Sequence, residues 1–167
     1  KGLVYKEDDF VLEDCAVDAI RKINQSGRLG IVITNQPVVA RGLCGIEDVE
    51  NIHKKMETLL GKEGVFLDDV FFCPHRRRIR LIRSRASAET EDRDDREGGG
   101  AVQIDLKESW MIGDTTMDIQ TGVNAGMRTA LVLTGESGKD KKYDVKPDLV
   151  CENLLDAVEK ILKSEDR

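Results

Sequence analysis

Short apolar runs alternate with amphipathic segments along most of this 167-residue chain. The runs are too short to cross a membrane, and they predict strands at 29–34, 69–73, 109–113 and 129–134. Apolar residues at helical spacing predict helices at 15–25, 46–60, 117–126 and 154–162. Apolar strands separated by helices predict an α/β fold, a Rossmann-like open parallel sheet with helices on both faces.

Size and composition fit a single domain over residues 1–167. The chain is 40% hydrophobic and 35% charged, which suits a packed core and excludes a disordered chain. A net charge of −6 argues against a general nucleic-acid binder. The four cysteines are dispersed and no stretch resembles a signal peptide, so we expect free thiols and a cytoplasmic protein.

Residues 76–103 depart from the alternation. Eight arginines and no lysine lie between Arg76 and Arg96, whereas the rest of the chain has 13 lysines and five arginines. An acidic run and three glycines follow the basic run, and no apolar face repeats. The pattern favours a charged, mobile segment. The alternative is a loop that binds RNA or phosphate, although the acidic run would neutralise much of its attraction.

Polar side chains follow two of the predicted strands. Thr34, Asn35 and Gln36 follow the first strand, and Asp114 and Asp118 follow the third. Strand ends of a parallel sheet face the crevice where ligands bind. A threonine with neighbouring backbone amides can hold phosphate, and two carboxylates four residues apart suit Mg²⁺. The structural alternatives are a polar turn for the first group and a helix N-cap for Asp114 or the threonine after it.

Five segments occur in an order that resembles a known family. They are Val-Ile-Thr-Asn-Gln-Pro-Val-Val-Ala-Arg-Gly at 32–42, Phe-Cys-Pro-His at 72–75, Trp-Met-Ile-Gly-Asp at 110–114, Asn-Ala-Gly at 124–126 and Val-Leu-Thr-Gly at 132–135. They resemble HAD-superfamily phosphatases of the histidinol-phosphatase and D-glycero-D-manno-heptose 1,7-bisphosphate 7-phosphatase type. The resemblance covers residues 1–75 and 104–162 and implies a HAD-like sheet.

The resemblance also implies a reaction. Its substrate would be a small phosphorylated sugar or related phosphomonoester, hydrolysed with Mg²⁺ through an aspartyl phosphate. Thr34 and Asn35 match the residues that hold the phosphate, and Gln36 would contact phosphate or substrate. Asp114 matches the Mg²⁺ ligand, with Asp118 as a supporting acid.

Two further residues, Gly2 and Arg41, match the region that lines the family's substrate pocket. Arg41 fits a surface position in its glycine-flanked turn equally well.

Several family features are absent from the sequence. Cys73 and His75 match the first half of a zinc loop, but no cysteine lies between Cys73 and Cys151 to complete four ligands. A small buried side chain is therefore the alternative role for Cys73. The first central strand with its Asp-x-Asp loop would precede Lys1. The family's Arg-Lys-Pro is also absent, since residues 63–106 contain no lysine.

These departures lead to two hypotheses. First, residues 76–103 are an out-of-frame reading of the ancestral segment, with a lineage-specific insertion as the alternative. Second, the chain is a phosphatase-family domain whose 167 residues, lacking the nucleophile, have negligible turnover. One alternative is a non-catalytic relic that binds phosphate or Mg²⁺ and serves as a protein-interaction module. Another is a nucleic-acid contact through residues 76–85. No membrane partner is expected.

Overall fold

A computed structural model describes residues 4, 6–35, 42, 44–73, 83–84 and 104–165. For Asn35, Cys73 and the 83–84 pair, the description covers the backbone only. Contacts divide the chain into two compact units, Lys1–Glu97 and Gly98–Arg167. Each unit contains one three-stranded sheet within the described residues.

The described residues of the first unit form two helices and a sheet. Its elements, in chain order, are α1 (Ala16–Gln25), β1 (Ile31–Asn35), α2 (Ile46–Lys62), β2 (Asp69–Cys73) and β3 (Arg83–Ser84), after a short 3-10 turn at Glu7–Asp9. Strands β1 and β2 are parallel, so their carboxyl ends lie side by side. Strand β3 pairs antiparallel with β2.

A cluster of buried apolar side chains holds the helices of this unit to the loop that leads into β2. Its buried members are Ile20 of α1, Leu60 of α2 and Val65. Helix α1 forms because Ala16, Ala19 and Ile20 share its buried face. Removing such side chains from water is the main source of stability for the unit.

The second unit contains a parallel sheet, and helices follow its first and third strands in chain order. Its elements are β4 (Trp110–Gly113), α3 (Thr116–Asn124), β5 (Arg128–Val132), β6 (Leu149–Cys151) and α4 (Leu154–Glu165), after a 3-10 turn at Leu106–Glu108. Strands β4, β5 and β6 are parallel and adjacent in that order. The carboxyl end of β4 is therefore next to the carboxyl end of β5.

The core of the second unit lies between its sheet and α4. Its buried members are Ala130, Val132, Cys151 and Ala157. The guanidinium of Arg128 lies 4.7 Å from the centre of the Trp110 ring, and both side chains contact the carboxylate of Glu165. The end of α4 is thereby attached to the first two strands of its sheet.

The structure confirms the predicted fold class and corrects several details. All four predicted strands and all four predicted helices are present, with ends shifted by a few residues. The prediction missed β6 and β3, which are too short to give a periodic signal. A sheet with helices on both faces would bury the apolar residues of β1, but Ile33 is 45% exposed. Its strand is at one edge of the sheet described.

Within the described residues, no helix has the length and apolar character required to cross a membrane. The charged segment 76–103 lies outside the described residues apart from Arg83 and Ser84.

Candidate functional site

The carboxyl end of β4 leads directly into α3, and the predicted Mg²⁺ residues lie at this junction. Asp114 follows the last residue of the strand, and Asp118 lies in the first turn of the helix. Both side chains are half-buried. The structure therefore places both carboxylates in one unit and at the end of the strand that the sequence predicted.

Asp118 is engaged in the start of its helix. Thr115 is the N-cap of α3, and its hydroxyl accepts a hydrogen bond from the Asp118 N–H at 3.1 Å. In return, Asp118 Oδ2 accepts from the Thr115 N–H at 3.1 Å and from its hydroxyl at 2.6 Å. This reciprocal pair is a capping box, which satisfies amide groups that a helix end leaves unpaired. The predicted N-cap alternative thus applies to Thr115.

The Asp118 side chain also packs on the strand. A Cβ added to Gly113 would lie 2.7 Å from both Cγ and Oδ2 of Asp118. Such distances are shorter than real Cβ atoms show. A glycine at position 113 is therefore needed for the close packing of Asp118 on the strand end.

Asp114 is held by a turn that follows β5. Its Oδ2 accepts a hydrogen bond from the Glu136 N–H at 2.7 Å, and its backbone carbonyl accepts from the Gly138 N–H at 2.7 Å. Its Oδ1 makes no hydrogen bond within the described part of the chain. Asp114 therefore has one restrained carboxylate oxygen and one available oxygen.

The same turn is attached to the first residue of α3. Asp140 accepts hydrogen bonds from the N–H and the hydroxyl of Thr116, both at 2.7 Å. Burial raises the pKa of the Asp140 carboxyl, but these two bonds and the positive charge of Lys142 outweigh burial and leave the pKa below its ordinary value. Asp140 is thus ionised at neutral pH and caps the amino end of the helix.

The predicted phosphate residues lie in the first unit. Thr34 is half-buried in β1 and lines an open cavity of about 200 Å³. The cavity is lined mainly by apolar side chains, with the buried imidazole of His53 beside the ring of Phe72. In the strand register, the Asn35 backbone is opposite that of Cys73. The backbones of the predicted phosphate residue Asn35 and the predicted zinc residue Cys73 are therefore adjacent at the ends of β1 and β2.

Other predicted residues fall outside the described residues. They are Gly2, Gln36, Arg41 and His75, together with the side chains of Asn35 and Cys73. Among the described residues, no group of three or more histidine, cysteine, aspartate or glutamate side chains is placed to hold a metal ion. The available oxygen of Asp114 nevertheless has the hard-ligand chemistry that Mg²⁺ prefers, and Mg²⁺ commonly uses one or two carboxylates with several waters.

Sequence reasoning missed the turn residues that bond to Asp114 and to the start of α3. Glu136 is 22 residues from Asp114, and Asp140 is 24 residues from Thr116. The one available signal was Thr134-Gly135, which the resemblance to the family included without a role.

Comparison with known proteins identifies the family to which this chain belongs. A HAD-hydrolase-like family pattern matches residues 81–157, a range that begins inside the charged segment. A D-glycero-D-manno-heptose-1,7-bisphosphate 7-phosphatase of Chlorobaculum tepidum is 31% identical over 93% of this chain and 83% of its own. The chain therefore belongs to the HAD-like hydrolase family that includes the heptose 1,7-bisphosphate 7-phosphatases.

Other relatives agree with this assignment. A D-glycero-beta-D-manno-heptose-1,7-bisphosphate 7-phosphatase of Haemophilus influenzae is 28% identical over 97% of this chain and 89% of its own. The crystal structure of a D,D-heptose 1,7-bisphosphate phosphatase from B. bronchiseptica, complexed with magnesium and phosphate, is 26% identical. It matches with a TM-score of 0.76 over 97% of this chain and 89% of that chain.

Proposed function

We propose that this chain acts in the hydrolysis of a phosphorylated sugar of the heptose bisphosphate class, with Mg²⁺ held at Asp114. The observation that carries the proposal is the Asp114 carboxylate at the end of β4, restrained at Oδ2 by the Glu136 amide and available at Oδ1. The relatives reported above are named as phosphatases, which favours catalysis over a non-catalytic binding module.

The two carboxylates have different roles in this proposal. Asp114 supplies the metal-facing oxygen, whereas Asp118 fixes the junction between β4 and α3 through its capping box. When bound there, Mg²⁺ would offset negative charge on the transferring phosphoryl group. Asp118 then supports the site by holding the strand end at which Asp114 lies.

The remaining roles follow from the family resemblance. Thr34 and Asn35 hold the phosphate, and Gln36 contacts phosphate or substrate. Gly2 and Arg41 line the sugar pocket. A zinc loop at Cys73 and His75 would require two more ligands for a closed tetrahedral site.

A cytoplasmic location is part of the proposal, and it is supported by the free thiols of Cys15, Cys44 and Cys151.

Calorimetric titration with D-glycero-D-manno-heptose 1,7-bisphosphate tests the proposal. We expect Mg²⁺-dependent binding of the bisphosphate, no binding of the unphosphorylated heptose, and much weaker binding by Asp114→Asn. Asp144→Asn is the control, because it makes the same substitution at an exposed position. This variant should bind the bisphosphate like the unsubstituted chain. The assignment is wrong if the chain binds the bisphosphate equally well with and without Mg²⁺. It is also wrong if Asp114→Asn binds the bisphosphate as well as the unsubstituted chain does.

A further inference from the structure

We propose that the turn formed by residues 134–140 is the positioning element of Asp114: it restrains one carboxylate oxygen and leaves the other for a divalent cation. The inference rests on the proposed function, in which Asp114 is the Mg²⁺ ligand. It assigns a role to Gly135, to the Glu136 amide and to Asp140.

Two hydrogen bonds attach the turn to Asp114. The Glu136 N–H donates to Oδ2, and the Gly138 N–H donates to the backbone carbonyl, both at 2.7 Å. A bond from an amide to an ionised carboxylate is stronger than one between neutral groups. Because one bond fixes the side chain and the other fixes the backbone, the direction of Oδ1 is set by the turn. Groups that orient a metal ligand in this way affect metal affinity strongly.

Gly135 permits this close approach. Its φ is +62°, in the left-handed region that favours glycine. An added Cβ would fall on Asp114 Oδ2 and lie 2.9 Å from Cγ. Any larger residue would therefore displace the carboxylate or withdraw the Glu136 amide from it.

The turn is held at its other end as well. Asp140 bonds to the N–H and hydroxyl of Thr116, and the Thr116 hydroxyl accepts from the Lys142 N–H at 3.1 Å. Ser137 and Lys141 have positive φ values of 54° and 46°, which are costly for residues with a side chain. Such a conformation persists because bonds at both ends hold it. Asp140 is thus a positioning residue that acts through the turn.

Matched glycine substitutions separate positioning from general backbone strain. Gly135→Ala should weaken Mn²⁺ binding, measured by electron paramagnetic resonance, by roughly 10- to 100-fold. Mn²⁺ is a suitable probe because it shares the preference of Mg²⁺ for oxygen ligands. Gly126→Ala is the control: its φ is +74°, but an added Cβ would have no atom within 4 Å. We expect Gly126→Ala to bind Mn²⁺ like the unsubstituted chain.

A second readout follows the hydrogen bond itself. The amide proton of Glu136 should move upfield in the NMR spectrum of Gly135→Ala and keep its position in Gly126→Ala. If Gly135→Ala does not fold, Asp140→Asn takes its place, and we expect it to bind Mn²⁺ severalfold more weakly.

The outcomes distinguish this inference from the proposed function. If Asp114→Asn loses Mn²⁺ but folded Gly135→Ala, or the substitute Asp140→Asn, binds like the unsubstituted chain, the positioning role is wrong and the proposed function stands. If the unsubstituted chain binds no Mn²⁺, or Asp114→Asn binds it equally well, both are wrong. Weaker binding with a shifted Glu136 amide, specific to the turn variants, supports both.

Discussion

The Asp118 side chain occupies the space that a Cβ on Gly113 would need, with Cγ and Oδ2 both 2.7 Å from that position. Because Asp118 is held by its capping box, it cannot move away without losing hydrogen bonds to Thr115. The glycine therefore allows the strand end and the first turn of α3 to pack together, which in turn places Asp114.

Gly113→Ala should destabilise the protein. We expect the free energy of unfolding in urea to fall by about 1–3 kcal/mol, the usual cost of overpacking. Gly61→Ala is the control, because Gly61 is in α2 and an added Cβ would contact nothing within 4 Å. It should stabilise the protein by about 0.5–1 kcal/mol through helix propensity. Equal effects of the two substitutions would contradict the close packing described above.

At this scale the sequence predicted positions better than roles. Asp114 and Asp118 are where the pattern of strand and helix placed them. A spacing of four residues cannot distinguish a metal ligand from a capping residue, since both need a carboxylate near a helix start. The structure shows that Asp118 is bonded to Thr115, whereas Asp114 accepts from the Glu136 amide, which is distant in sequence and close in space.

Side-chain carboxylate and amide oxygens accept hydrogen bonds from backbone N–H groups at the amino end of α4. Asn153 Oδ1 accepts from the Asp156 N–H at 3.0 Å. Asp156 Oδ2 accepts from the Glu152 N–H at 2.9 Å and from Lys160 Nζ at 2.7 Å. The hydrogen bond from Lys160 is the largest cause of a lowered pKa for the Asp156 carboxyl, and the bond from the Glu152 N–H lowers this pKa further. The folded state thus favours the ionised form of this carboxyl group.

The lowered pKa of Asp156 predicts a pH dependence of stability. Its contribution is present above the unfolded-state pKa of about 3.9 and is lost as the pH falls through the lower folded-state pKa. The difference in unfolding free energy between the unsubstituted chain and Asp156→Asn should therefore shrink between about pH 6 and about pH 3. Asp144→Asn, at an exposed position, is the control. A difference that is the same at both pH values would contradict the role given to Asp156.

Element type was predictable from the sequence where an element is long or strongly periodic. Helices α1 and α2 end within two residues of their predicted limits, and a glycine with positive φ follows each end: Gly27 after α1 and Gly64 after α2. Strand β6, with three residues, is below the length at which alternation is visible. It was identifiable only through its pairing with β5.

At the scale of the whole molecule, the relatives match residues of both units. The relatives cover most of the chain, and a structural neighbour was solved with magnesium and phosphate. The family pattern begins at residue 81, so part of the charged segment 76–103 retains similarity to the family. The origin of that segment is therefore a question for the coding DNA.

The frame hypothesis predicts a specific result. Reading the DNA of residues 76–103 in its two other frames should reveal a Cys-x-Cys and an Arg-Lys-Pro, because these are the features absent from the translated segment. If neither frame encodes them, the segment is a lineage-specific insertion and the hypothesis is wrong.

The position of the divalent cation tests the central claim most directly. Nitrogen-15 NMR of the chain with substoichiometric Mn²⁺ should broaden the amide signals of residues 113–116 and 136–138 first, because they surround the Asp114 carboxylate. The same titration of Asp114→Asn should leave those signals sharp. Broadening that begins elsewhere, or that is unchanged in Asp114→Asn, would contradict the assignment of Asp114 as the Mg²⁺ ligand.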